Sequence, residues 1–163
     1  MMASQEFKVA IRQMEHFRFE VDWGLPTAEK GIVDEAPPLG GGAEPNPARL
    51  LAVAVAHCLS SSLLFCIEKA HGHCDGITTT AHVRVERNER GRWRLTRLRI
   101  ILDPRLPAES RATFERCREL FEDYCIVTES VRKGIPVDVE WAPSPGQPSP
   151  AVGSPSPGNS PPT

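Results

Sequence analysis

An apolar run over residues 50–67 dominates this chain and decides what it can become. At 3.6 residues per turn it is apolar on nearly every side, so a helix built from it must be covered on both flanks. A sheet can cover one flank; the other needs a second layer or a second subunit. The run sits at the lower edge of bilayer-spanning length. It is interrupted by His57 and by Ser60, Ser61 and Ser62, which favours a buried core helix over a membrane span. Its start is sharply marked, with Asn46 suited to the N-cap and Pro47 to the first helical position. Continuing to about Ala70, it meets a plausible stop at Gly72.

Strand patterns surround this helix. Residues 7–11 and 17–23 alternate apolar and polar side chains. In the second segment Phe17, Phe19, Val21 and Trp23 face one way and Arg18, Glu20 and Asp22 the other. Residues 13–16 are expected to join the two as a hairpin. Residues 24–45 read as a long Pro/Gly-rich loop, a length that is uncommon in a compact domain and often functional. Segments 77–85 and 93–102 form a second hairpin around Asn88-Glu89-Arg90-Gly91. Helices are expected over 107–121 and 125–133, the latter stopping at Gly134, and a last strand over 135–141. The order β-β-α-β-β-α-α-β predicts an α+β fold of antiparallel hairpins around a central apolar helix.

Proline placement sets the domain limits. Of sixteen prolines, eight lie between Pro143 and Pro162, in a stretch without Asp, Glu, Lys or Arg. Such a segment cannot offset the entropy of its own ordering. Residues 142–163 are therefore expected to be a dispensable disordered tail, and residues 1–141 a single folded domain. The net charge of −2 gives no global field for nucleic acid or an anionic membrane. Seven arginines between Arg84 and Arg99 make the second hairpin basic, but only Trp93 interleaves with them. A solvated strand face, or salt bridges across a dimer, is the better reading. The N-terminus lacks a basic region followed by an apolar one, so the expected location is the cytoplasm. Five cysteines there read as free, catalytic or metal-binding rather than as structural disulfides.

Each cysteine has an ordinary explanation when taken alone. Cys58 lies midway along the apolar helix and resembles a small buried hydrophobe. Cys125 opens a short helix, where backbone N–H groups lower a thiol pKa. Cys117 belongs to the core side of an amphipathic helix. Cys66-x4-His71-x-His73-Cys74 has ligand types suited to a metal, but it straddles a helix end and lacks a matching half. No metal or cofactor is expected.

The wider pattern is more specific. Asp34-Glu35-Ala36-Pro37-Pro38-Leu39-Gly40-Gly41-Gly42 is followed by Pro45-Asn46-Pro47 and an alanine-rich helix reaching Cys58-Leu59-Ser60. Far downstream stands Phe121-Glu122-Asp123-Tyr124-Cys125-Ile126-Val127-Thr128-Glu129-Ser130-Val131-Arg132, then Gly134-Ile135-Pro136-Val137. Together these resemble the OsmC/Ohr family, the osmotically inducible and organic hydroperoxide resistance proteins, over residues 7–141. The resemblance implies an intertwined homodimer acting as a two-cysteine thiol peroxidase on organic hydroperoxides. Cys58 would be the peroxidatic thiol and Cys125 the resolving one, with an external dithiol, a lipoyl group in one branch, as reductant. It also implies a Glu in an Asn-Pro-Glu sequence that holds an activating Arg. Here that position is Ala48, and Lys30 and His57 are the candidate substitute cations. That departure supports an alternative: a non-catalytic OsmC-like protein that binds an apolar small molecule or partner in the dimer cleft.

Overall fold

The computed structural model describes residues 5–142; the expected tail lies outside the described residues, apart from Ala142. Six strands and three helices follow in the order β1 (Ala10–Glu15), β2 (Arg18–Asp22), β3 (Gly31–Val33), α1 (Pro47–Lys69), β4 (Gly76–Arg87), β5 (Trp93–Arg105), α2 (Arg111–Leu120), α3 (Ile126–Arg132) and β6 (Val137–Trp141). A 3-10 turn, Phe121–Tyr124, links α2 to α3. Two three-stranded sheets result, ordered β1-β2-β3 and β4-β5-β6.

The α+β class and the central apolar helix match expectation. Asn46 caps α1 by accepting a hydrogen bond from the Arg49 amide at 3.0 Å, with Pro47 directly after it. By length and composition α1 could cross a membrane. In the fold it lies on a sheet instead. Val55, Leu59, Leu63 and Ile67 are fully buried, as are Leu98, Ile100 and Leu102, which point alternately to one face of β5. The opposite flank of α1 stays open, with Val53 and Phe65 more than half exposed.

Three features differ from the sequence reading. The last strand pairs with β5 in parallel, Leu98 opposite Val137 and Leu102 opposite Trp141, so the second sheet is not made of hairpins alone. The cause is the connection: α2 and α3 form a helical crossover that brings the chain back in its original direction. Alternation reports a strand and not its direction. In the first hairpin the strand begins at Ala10, and the turn is His16-Phe17, with His16 at φ 45°. The long loop also contains a strand, β3, paired antiparallel with β2. A buried Asp34 carboxylate then closes the glycine-rich segment by accepting amides of Glu35, Gly41 and Gly42 at 2.8–3.0 Å. This pins the entry to α1.

Two arginines of the basic hairpin find carboxylate partners on the last strand. Arg99 forms a two-pronged pair with Glu140 at 2.7 Å, and Arg97 pairs with Asp138, both across the β5–β6 ladder. These strand-face pairs therefore join neighbours of one sheet instead of bridging a dimer. Arg87 lies over the Trp93 ring at 4.6 Å.

Candidate functional site

Cys58 and Cys125 come together where α1 crosses the start of α3. Cys58 is half-buried, about 16 Å along α1 from its N-terminus, too deep for the helix ends to act on it. Cys125 is fully buried and occupies the N-cap of α3. Both are free thiols, and Cys58 is near enough to Cys125 to push its pKa up. The Cys125 sulfur also lies 2.8 Å from the hydroxyl of Thr128, another fully buried residue.

The two sulfurs differ in access. Cys58 lies at an open groove of about 620 Å3, flanked by His57, Ser61, Phe65, Tyr124 and Ile126. Its walls are mainly apolar, and the Phe65 and Tyr124 rings meet edge to face with centroids 6.3 Å apart. Cys125 is absent from that lining and lies behind Cys58. One accessible thiol backed by a buried one can take an oxidising equivalent from outside and close an internal disulfide.

The expected depression of the Cys125 pKa does not occur. Burial pushes this thiol up, and the neighbouring Cys58 adds to the effect, while hydrogen bonds from Thr128 oppose it. A cap on a seven-residue helix supplies less stabilisation than full desolvation removes. The folded state therefore holds the Cys125 proton above the unfolded thiol pKa of about 8.5. Stability of the reduced protein should then fall as pH rises from that value towards the folded pKa, because the unfolded chain loses the proton first. Denaturant titrations between pH 7 and 10 should show this decline, and Cys125→Ala should flatten it. An equal decline in the variant would contradict the assignment.

Within one chain the two candidate cations are placed differently. Lys30 pairs with Glu20 at 2.9 Å on the first sheet. His57 lies beside Cys58 and is the one basic side chain lining the groove among the described residues. Ala48 and Arg49 line a different groove, on the α1–β4 side, with Ala52, Val53 and Val85.

The expectation that the cysteines are not in structural disulfides fails at one pair. Cys66 and Cys117 form a disulfide that ties α1 to α2, their Cα atoms 5.8 Å apart. Cys117 is in the core as expected, but as half of a covalent bond. The Cys66-His71-His73-Cys74 group is dispersed: His73 faces Asp75 at 3.3 Å and the Cys74 thiol donates to the Gly76 carbonyl. Among the described residues no cluster of three or more such side chains is placed to hold a metal. Thr128 is a further residue at the site that the sequence pattern does not single out.

This two-sheet arrangement around one apolar helix defines a fold class shared with known structures. An OsmC-like protein of unknown function from Vibrio cholerae is similar with a TM-score of 0.73, at 15% identity, covering 85% of this chain and all of that one. An OsmC-like protein from Mycoplasma pneumoniae gives 0.72 at 10% identity, covering 86% and 98%. An organic hydroperoxide resistance protein from Bacillus subtilis gives 0.62 at 17% identity, covering 85% and 98%. A search of curated proteins finds no match. The family model for OsmC-like proteins matches residues 40–140, and the chain belongs to that family.

Proposed function

We propose that this protein is a thiol-dependent peroxidase that reduces organic hydroperoxides, with Cys58 as peroxidatic and Cys125 as resolving cysteine. The observation that carries the reading is the proximity of a groove-facing thiol on α1 to a buried one at the N-cap of α3. The Cys58 thiolate attacks a peroxide oxygen, the O–O bond breaks, and the alkoxide leaves and takes a proton to become an alcohol. Cys58 is then a sulfenic acid. Cys125 attacks its sulfur, water departs, and a disulfide forms. An external dithiol, of which a lipoyl group is one example, reduces that disulfide and becomes a disulfide itself. The apolar walls of Phe65, Tyr124 and Ile126 suit an alkyl or aryl hydroperoxide better than hydrogen peroxide.

The second reading, a non-catalytic protein binding an apolar molecule or partner, is favoured by Ala48 and by a groove lining without Arg or Lys among the described residues. Steady-state consumption of cumene hydroperoxide with a dithiol separates the two. Many turnovers, with hydrogen peroxide consumed more slowly, support the peroxidase. Tight binding of an apolar probe without turnover supports the alternative.

The same proposal includes a homodimer. Strands β1–β3 pair with one another but make almost no contact with the helices or the second sheet of their own chain. Phe7, Val9, Ile11, Phe17 and Trp23 are left exposed there, as are Val53 and Phe65 on α1. Apolar surface on this scale is rare on monomers, and an exchanged N-terminal sheet would cover it. Light scattering of the fully reduced protein should give twice the 18.0 kDa chain mass. A value at the single-chain mass would contradict the dimer.

A further inference from the structure

Two cysteine rungs cross one pair of antiparallel segments. Cys66 lies eight residues after Cys58 on α1, and Cys117 lies eight residues before Cys125 on the returning segment. One rung, Cys66–Cys117, is bonded; the other, Cys58 and Cys125, is a pair of adjacent free thiols. Phe121 is fully buried between the rungs on the return strand of the pair. Eight helical residues rise about 12 Å. The bonded rung is thus too far for its sulfurs to exchange directly with Cys58, yet near enough to fix how the Cys125 segment lies on α1.

That segment is held on α1 by the buried side chains of Phe121, Cys125 and Thr128 and by short local hydrogen bonds, not by one continuous helix. Cys125 sits at a break between a four-residue 3-10 turn and the seven-residue α3, with extended backbone at φ −88°, ψ 95°. Helices this short are not stable alone. No continuous helical ladder therefore carries the position of Cys125. Its place depends on buried side chains, on the Arg132–Glu122 ion pair, and on the covalent link at Cys117.

We propose that the Cys66–Cys117 disulfide is a positioning staple that keeps Cys125 under Cys58, so that its reduction slows closure of the Cys58–Cys125 bond. The role as stated for resolution rests on the two-thiol reading above. Opening needs a dithiol. Its thiolate attacks the sulfur of Cys66, the half-buried partner, and Cys117 leaves as thiolate. The second thiol of the reductant then displaces Cys66, and the reductant departs as a disulfide, two electrons having passed to the rung. An abundant dithiol would thereby loosen the resolving step as well as regenerate the enzyme.

The test uses the full chain. Mass mapping after alkylation under non-reducing conditions should find Cys66 linked to Cys117, with Cys58 and Cys125 alkylated. In Cys66→Ala/Cys117→Ala, one equivalent of cumene hydroperoxide should oxidise Cys58 at the wild-type rate. Closure to Cys125 should slow by about 100-fold, the scale expected for a reacting group misplaced by an ångström, and dimedone should trap the sulfenic acid. Diamide, which joins two thiols without peroxide chemistry, should show the same slowing. Slowing with diamide, but no oxidation of Cys58 by hydroperoxide, would overturn the peroxidase reading and leave the staple standing. Closure at the wild-type rate with diamide would overturn the staple, as would free thiols at Cys66 and Cys117 in the mapping. If the double variant fails to fold, Cys66→Ser, which retains the buried Cys117, should show the same slowing; wild-type closure in it would overturn the proposal.

Discussion

Replacing Cys58 with serine should abolish hydroperoxide consumption. A serine hydroxyl is not ionised near neutral pH, and its oxygen cannot accept a peroxide oxygen to form a sulfenic acid. No other free thiol reaches the groove: Cys74 is bonded to the Gly76 carbonyl elsewhere, and Cys125 is behind Cys58. Fold stability should hardly change, because Cys58 is half-buried and the substitution alters one atom. Cys125→Ser should behave differently. Its first turnover should survive, since Cys58 still meets peroxide, but later cycles should slow sharply because the sulfenic acid must wait for an external thiol instead of the adjacent Cys125. A Cys58→Ser variant that retained consumption in a steady-state assay would exclude the assigned role.

The largest effect on stability is expected from Phe121→Ala. Phe121 is the largest fully buried side chain described, and it joins α2, α1 and the last strand. Its ring meets Trp141 edge to face at 5.6 Å, and Trp141 in turn meets Phe114 at 5.0 Å. Removing a buried phenyl ring costs about 3–5 kcal/mol through lost transfer energy and the cavity left behind. The covalent link at Cys117 limits how far the site can collapse, which places this change towards the upper part of that range. Denaturant unfolding of wild type and variant measures the difference. A loss of under ~1 kcal/mol, the scale of a surface change, would show that Phe121 does not organise the core.

The parts of this fold legible in sequence are those set by local chemistry. Asn46-Pro47 fixes the start of α1 because cap and φ requirements are local. The alternation Leu98, Ile100, Leu102 fixes the buried face of β5 for the same reason. What depended on distant partners was harder to read. The parallel direction of β6 follows from the crossover that precedes it, which alternation does not encode. The upward shift at Cys125 follows from burial beneath α1, which overrides the favourable helix end. Lys30 is drawn away by Glu20, a cross-strand neighbour visible only once β2 and β3 are paired. The Cys66–Cys117 bond was hidden by the expectation that cytoplasmic thiols stay free, although its spacing of eight mirrors that of Cys58 and Cys125. Cys58 and Cys125 are paired by the motif resemblance; nothing in either local segment alone joins them.

Oxidation order tests the central claim most directly. Protein with Cys58 and Cys125 reduced receives one equivalent of cumene hydroperoxide, is quenched by alkylation at short intervals, and is mapped by mass spectrometry. The account predicts that Cys58 is modified first and that a Cys58–Cys125 linked peptide then accumulates, with Cys74 still alkylated. Oxidation of Cys74 ahead of an untouched Cys58 would contradict it.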